Sequence, residues 1–193
     1  MRPVPIERGN GTNPYSGANP YFICVATIEK RKNIRMLVEA WRHLRKETNV
    51  DLVLAGRVTD LKEIPPVERG LRFLGSVNDR DLPTLYSGAV ASLYPSTYEG
   101  FGLPVLEAMQ CGAMVITSND PAVKETGGNA TIKIDADDTQ GWFQAMRAAL
   151  RNFELVQEHR RLSLLRASEF TWKRTALATH HVYQEAIQRF KSS

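Results

Sequence analysis

The chain has few of the residues that build disulfide frameworks or metal sites. Only two of its 193 residues are cysteines, and Cys24 and Cys111 stand apart from each other in apolar surroundings. Such lone cysteines are typical of buried thiols in a reducing compartment. The four histidines form no ligand pattern with neighbouring carboxylates, and they are His43, His159, His180 and His181. We therefore expect neither disulfides nor a metal site.

Long hydrophobic runs are also missing. No segment approaches the roughly 20 apolar residues that span a bilayer. The first residues, Met1-Arg2-Pro3, do not open a signal peptide. These features predict a cytoplasmic protein.

The charge balance is mildly basic, with a formal net charge of +4. Nucleic-acid binding usually needs a clustered basic face with aromatic partners. One basic cluster is Lys30-Arg31-Lys32, and the second, at 42–46, is best explained as the solvated face of a helix. We expect no nucleic-acid partner and interpret the first cluster as part of a ligand site.

Three segments are predicted along the chain. Residues 1–20 hold four prolines and three glycines, which is the composition of a linker. Residues 21–170 alternate short apolar runs with amphipathic helical patterns, and residues 171–193 form a C-terminal helix. Asn33 is expected to cap the first helix and Thr171 the last one.

The alternation predicts an α/β fold. It is a Rossmann-like, doubly wound, mostly parallel six-stranded sheet flanked by helices, with a C-terminal helical extension. The apolar runs that predict the strands lie at 21–27, 51–56, 71–77, 89–94, 115–117 and 131–134.

The strand at 89–94 leads into a glycine turn and then a helix that is predicted to begin at Pro104. Gly100 and Gly102 have no Cβ, so a ligand can approach the backbone closely. The free N–H groups of a helix start attract anions. Two carboxylates, Glu99 and Glu107, flank this turn and suit a ligand that carries both phosphate and hydroxyl groups, such as a nucleotide sugar.

Spacing alone leaves simple packing as an equal alternative, because Gly-x-Gly turns occur in many α/β proteins. A dinucleotide-binding fingerprint would place a third glycine where Val105 stands. A dinucleotide-binding fingerprint is therefore excluded, whereas simple packing stays open.

The segment resembles the signature of retaining, nucleotide-sugar-dependent glycosyltransferases of GT-B architecture, often called group 1. In that family two glutamates with seven residues between them bracket a Gly-Phe-Gly turn, and Glu99 and Glu107 match both. Similar matches in the family's order run from Tyr21 to Ile187. The sequence departs from the family pattern at Ala26, where a glycine is common, and at Lys124, where a proline is usual.

The resemblance implies roles for the residues around the turn. Arg31 and Lys32 would meet the diphosphate, and Glu99 would hold hydroxyls of the donor sugar. Glu107 would hold the ribose hydroxyls. Backbone N–H groups of the glycine turn would face the sugar and the distal phosphate, and that turn is formed by Gly100, Phe101, Gly102 and Leu103. Gly56 and Arg57 would line the nucleotide cleft.

The implied reaction is retaining transfer of a glycosyl group from a nucleotide diphosphate sugar to a hydroxyl acceptor, with no cofactor or metal. The loop Thr27-x-Glu29-x-Arg31-Lys32-Asn33 is similar to loops of mannosyl and rhamnosyl transferases of polysaccharide assembly, which favours GDP-mannose as donor. In the family, an N-terminal half supplies the acceptor site, and acceptors are often membrane-associated. Peripheral attachment at the inner membrane face is therefore a further expectation, and this chain alone is predicted to be inactive.

Two alternatives stay open from the sequence. The chain could be a non-catalytic nucleotide-binding module, or it could belong to a sugar phosphorylase or sugar-nucleotide epimerase of related architecture.

Overall fold

A computed structural model describes residues 13–191 and contains a single six-stranded parallel sheet within them. The strands are β1 (Tyr21–Val25), β2 (Asp51–Ala55), β3 (Leu71–Gly75), β4 (Ser92–Tyr94), β5 (Val115–Ser118) and β6 (Thr131–Ile134). Their order is β3-β2-β1-β4-β5-β6, and every pairing is parallel, where the sequence predicts a mostly parallel sheet.

Helices follow most of the strands and cover the sheet. They are α1 (Ile34–Arg45), α2 (Leu82–Gly88), α3 (Leu103–Gln110), α4 (Pro121–Gly127), α5 (Thr139–Arg151), α6 (Phe153–Ala167) and α7 (Trp172–Lys191). The connection from β2 to β3 differs, because it contains only the short 3₁₀ turn Leu61–Glu63.

The core lies between the sheet and the amphipathic faces of the helices. β2 is buried at every position because helices or loops cover both faces of a parallel sheet. The apolar face of α1 is buried, and Trp41 is fully buried with its indole N–H donating to Val50 O over 3.1 Å. α1 packs against α5, in which Trp142 is also fully buried.

Two helix starts were predicted inexactly. Asn33 precedes α1, but its backbone has the left-handed φ of 56°, and its side chain caps nothing. The amide instead donates to Ala136 O over 2.6 Å, which ties the loop after β1 to the loop after β6. The helix after the glycine turn begins at Leu103, so Pro104 is its second residue.

Both ends of the described chain have specific contacts. The Tyr15 hydroxyl donates to the buried carboxylate of Asp51 over 3.0 Å, and the Asn19 amide donates to the same carboxylate over 2.9 Å. Residues 1–12 of the predicted linker lie outside the described residues. At the other end, the Thr171 hydroxyl accepts from Arg174 N over 3.2 Å, which confirms the predicted cap of α7. Within residues 13–191 no helix is both long and apolar enough to cross a membrane.

Candidate functional site

The candidate site lies where the strand order reverses. β1 and β4 are neighbours in the sheet, but the chain leaves β1 towards β2 and leaves β4 towards β5. In open α/β sheets a crevice forms outside the carboxyl ends of two such strands, and ligands bind there. Arg31 and Lys32 follow β1, and Glu99 follows β4, so the topology brings distant segments to one crevice.

Three of the predicted residues are in direct contact. The Oε1 atom of Glu99 accepts from Arg31 Nη1 over 2.9 Å and from the ammonium of Lys32. The side chains of Lys32 and Glu99 are 7% and 9% exposed, whereas that of Arg31 is 43% exposed. The site therefore contains one buried cation and one solvent-facing cation around a single carboxylate.

Two residues that the sequence did not single out complete this cluster. The Ser96 hydroxyl donates to Glu99 Oε1 over 2.5 Å. Lys32 Nζ donates to the Tyr94 hydroxyl over 2.7 Å. Tyr94 is the last residue of β4, and Ser96 follows shortly after it. Their place at the end of a predicted strand was the only feature of the sequence that could have identified them.

The protein environment favours the ionised form of Glu99. Burial acts to raise its pKa, but hydrogen bonds from Lys32 and Ser96 and the Lys32 charge outweigh burial and hold the pKa below its usual value. The neighbouring Tyr94 hydroxyl has the opposite shift, because burial and the Glu99 charge raise its pKa. At neutral pH Glu99 is therefore a carboxylate and Tyr94 a neutral phenol.

The glycine turn after Glu99 contributes backbone N–H groups to the site. Gly102 has a φ of 87° and precedes α3, a left-handed conformation that favours glycine. Phe101 O accepts from the Thr126 hydroxyl over 2.5 Å. Among the described residues, the backbone N–H groups of Gly100, Phe101, Gly102 and Leu103 have no backbone acceptor. These groups give the turn an excess of donors beside the cation cluster.

Glu107 lies in the second turn of α3 and has no ion pair with any described residue. Its carboxylate is exposed to solvent. Loss of part of its hydration, together with the charge of Asp79, raises its pKa. An unpaired carboxylate in this position can accept hydrogen bonds from hydroxyl groups of a ligand.

Gly56 and Arg57 lie after β2 and have no described contact with the cluster. A Cβ on Gly56 would lie 2.0 Å from Ala26 O, and its φ is 143°. Ile28 N donates to Arg57 O over 2.7 Å, while the Arg57 side chain is exposed. The observed contacts of both residues hold the loop after β1, so their predicted role in lining the nucleotide cleft stays a prediction.

Asp120 is a further residue that sequence reasoning missed. Its carboxylate caps α4 by accepting from Ala122 N and Val123 N, and it also accepts from Glu99 N over 3.3 Å. The Asp120-Pro121 pair is a helix-start signal that could have identified it. Across residues 13–191 no group of three or more His, Cys, Asp or Glu side chains is arranged to hold a metal ion.

The comparisons with known proteins agree on one family. A family model described as "Glycosyl transferases group 1" matches residues 19–152. O-antigen chain mannosyltransferase B of Escherichia coli is 35% identical over 173 residues, covering 85% of this chain and 45% of the relative. A glycogen synthase of Mycobacterium tuberculosis is 31% identical over 175 residues, covering 86% of this chain and 42% of the relative.

Solved structures share the fold. Sucrose-phosphate synthase from Thermosynechococcus elongatus aligns with a TM-score of 0.74 and 25% identity, covering 91% of this chain and 47% of that one. Anabaena HepE, solved with UDP and glucose, aligns with a TM-score of 0.72 and 17% identity, covering 91% of this chain and 49% of that one. The chain spans less than half the length of each of these relatives.

Proposed function

The chain belongs to the group 1 glycosyl transferases, and we propose that it is the donor-binding half of a retaining enzyme of this family. The proposed reaction moves a sugar from a nucleotide diphosphate sugar to a hydroxyl acceptor in polysaccharide or glycoconjugate synthesis. The observation that carries the proposal is the meeting of Arg31, Lys32 and Glu99 beside the donor-rich glycine turn.

Arg31 and Lys32 are proposed to bind the diphosphate. A guanidinium offers a planar fork of donors, and an ammonium offers a compact point charge. Lys32 is buried, so its charge acts through a medium in which electrostatic interactions are stronger than in water. The N–H groups of Phe101, Gly102 and Leu103 add donors for the distal phosphate and the sugar.

The two glutamates are proposed to bind different hydroxyl groups. Glu99 is ionised and fixed by Lys32 and Ser96, so it can accept hydrogen bonds from the donor sugar. Glu107 has no ion pair among the described residues, and it is the candidate for the ribose hydroxyls. Gly56 and Arg57 are proposed to line the nucleotide end of the cleft.

The chemical step places negative charge on the departing diphosphate. The bond between the anomeric carbon and the diphosphate oxygen breaks, and its electron pair leaves with the nucleotide. The acceptor hydroxyl oxygen bonds to the anomeric carbon in its place, and the hydroxyl proton is lost to the departing phosphate or to solvent. Preorganised cations and N–H groups stabilise charge that develops in the transition state. We propose that Arg31, Lys32 and the turn supply this stabilisation without a metal ion, and that the sugar keeps its anomeric configuration.

Mannose is the proposed sugar and GDP-mannose the proposed donor. The supporting observation is that relatives at 31–35% identity include O-antigen mannosyltransferases of Escherichia coli and Salmonella typhimurium. The acceptor site is assigned to an N-terminal half, because the chain covers only 45% of mannosyltransferase B. A cytoplasmic location and a membrane-associated acceptor belong to the same proposal.

A product assay tests whether the donor site and the acceptor site lie on separate halves of the enzyme. The chain is incubated with GDP-mannose and an oligosaccharide or lipid-linked acceptor, with and without a separately expressed N-terminal half of a relative. We expect transfer only in the presence of both halves, because holding donor and acceptor in near-attack geometry is worth about 7–11 kcal/mol of barrier. Efficient transfer by the 193 residues alone would contradict the half-enzyme assignment.

A further inference from the structure

Helix α4 supports the glycine turn through three residues spaced three apart. Asp120 accepts from Glu99 N over 3.3 Å, and Thr126 donates to Phe101 O over 2.5 Å. Between them, Val123 lies where a Cβ on Gly102 would meet its Cγ2 at 3.3 Å. Residues three apart share one face of a helix. One face of α4, together with its N-cap residue Asp120, therefore lies against Glu99, Phe101 and Gly102.

The Thr126 contact determines where the next amide points. Phe101 C=O and Gly102 N–H belong to one planar peptide, and no cis peptide occurs in the described chain. In a trans peptide these two groups point in nearly opposite directions. Because the Phe101 carbonyl points at the Thr126 hydroxyl, the Gly102 N–H points away from that hydroxyl.

The Gly102 N–H lacks an acceptor. Gly102 is buried, and within residues 13–191 its amide donates to no backbone or side-chain oxygen. Buried backbone donors in folded proteins are nearly always paired. An unpaired, directed N–H in the turn beside Glu99 is thus a donor held ready for an oxygen from outside the chain.

The end of α4 is itself held in place by α6. Arg166 Nε donates to Thr126 O over 3.0 Å, and Arg166 Nη2 donates to Glu125 O over 2.6 Å. The ring of Phe101 packs edge-on against Phe170, with centroids 5.9 Å apart. These contacts hold the end of α4 in place, and Thr126 is only 1% exposed. The Thr126 hydroxyl therefore has a fixed position.

We infer that Thr126 is a positioning residue that aims the Gly102 N–H at an oxygen of the donor's distal phosphate or sugar. This inference rests on the proposed function, since it assigns the external oxygen to the nucleotide sugar. Thr126 acts through the Phe101–Gly102 peptide and itself touches no ligand.

The test compares Thr126→Val, which keeps the shape and removes the hydroxyl, with Thr126→Ser, which keeps the hydroxyl. Thr117→Val is the matched control, because the buried Thr117 hydroxyl donates to Ile132 O in the sheet, away from the turn. Affinity for GDP-mannose is measured by calorimetry, and the Gly102 amide is followed by ¹H–¹⁵N NMR during the same titration. Thermal unfolding of each variant verifies folding.

We expect Thr126→Val to bind GDP-mannose about tenfold more weakly, because the Gly102 N–H is then no longer held in its direction and its hydrogen bond to the charged ligand weakens. The ligand-induced downfield shift of the Gly102 amide should shrink in Thr126→Val and return in Thr126→Ser, while Thr117→Val should behave as the unmodified chain does. If the unmodified chain binds GDP-mannose but Thr126→Val retains full affinity and the full Gly102 shift, the positioning role is wrong and the proposed function survives. If the unmodified chain binds neither GDP-mannose nor GDP, both fail together.

Discussion

The Lys32 ammonium and the Glu99 carboxylate form an ion pair between positions 67 residues apart in the sequence. The pair bridges the loop after β1 and the loop after β4, and both side chains are largely buried. Removing one member of a buried pair leaves the other charge without full compensation. The residues proposed to bind the donor therefore also stabilise the fold at the crevice, and substitutions there affect both properties.

Lys32→Ala and Arg31→Ala are expected to separate these two effects. Each should weaken GDP binding roughly ten- to a hundredfold, through loss of a charge-assisted hydrogen bond. Lys32→Ala should also lower the free energy of unfolding by about 1–3 kcal/mol, because Lys32 is buried beside Glu99. Arg31 is 43% exposed, and its loss should cost stability less than about 1 kcal/mol.

Calorimetry and urea unfolding measure the two quantities, with Lys46→Ala on the exposed end of α1 as the control. Equal stability losses for Lys32→Ala and Arg31→Ala would show that burial of Lys32 does not have the energetic importance given to it.

Glu99→Gln should change selectivity between ligands. The amide cannot accept hydroxyl hydrogen bonds at both terminal atoms, so GDP-mannose should bind about tenfold more weakly. Bare GDP should bind at least as tightly as before, because Arg31 and Lys32 lose a competing negative charge. The ratio of the two affinities, measured by calorimetry, is the quantity to compare. An equal loss for both ligands would mean that Glu99 does not distinguish the sugar from the diphosphate.

The stability of the chain should decrease in acid partly through Glu99. Its pKa is lower in the folded protein than its usual value, so the unfolded chain binds more protons between the two values. The stabilisation is complete above the usual glutamate pKa of about 4.3 and is lost as pH falls through the folded value. The free energy of unfolding, measured at steps between pH 6 and pH 3, should therefore fall more steeply for the unmodified chain than for Glu99→Gln. Parallel curves would contradict the depressed pKa.

Gly56→Ala tests whether the loop after β1 depends on close packing. The new Cβ would lie 2.0 Å from Ala26 O at a φ of 143°, so we expect a loss well above about 1 kcal/mol. Gly100→Ala is the matched control, since nothing lies within 4 Å of the Cβ that it would add. Chemical denaturation should find Gly100→Ala within about 0.5 kcal/mol of the unmodified chain. Similar midpoints and slopes for both variants would refute the close approach.

Local sequence patterns predicted much of the fold, because the sheet is parallel and nearly every strand is a short apolar run followed by an amphipathic helix. All six strands were located, although the run at 89–94 contributes only Ser92–Tyr94 to the sheet. The apolar residues just before β4 lie in the turn that follows α2. Composition does not distinguish such buried turn residues from the residues of a strand. The β2–β3 connection, which lacks an α-helix, could be recognised only by the weakness of its periodicity.

The site was predicted less completely, since its geometry depends on contacts between distant segments. The pairing of Arg31 and Lys32 with Glu99 follows from the strand order, which local patterns do not specify. Ser96 and Thr126 are ordinary polar residues in sequence, and they become important only because a carboxylate and a carbonyl lie against them. Side-chain placement of this kind needs the three-dimensional structure.

The most direct test of the donor-binding assignment is a calorimetric titration of the unmodified chain with GDP, UDP, dTDP and GDP-mannose in EDTA. We predict saturable one-to-one binding of at least one diphosphate without metal, tighter binding of GDP-mannose than of GDP, and loss of that preference in Glu99→Gln. Absence of heat with every one of these ligands up to millimolar concentration would contradict the account.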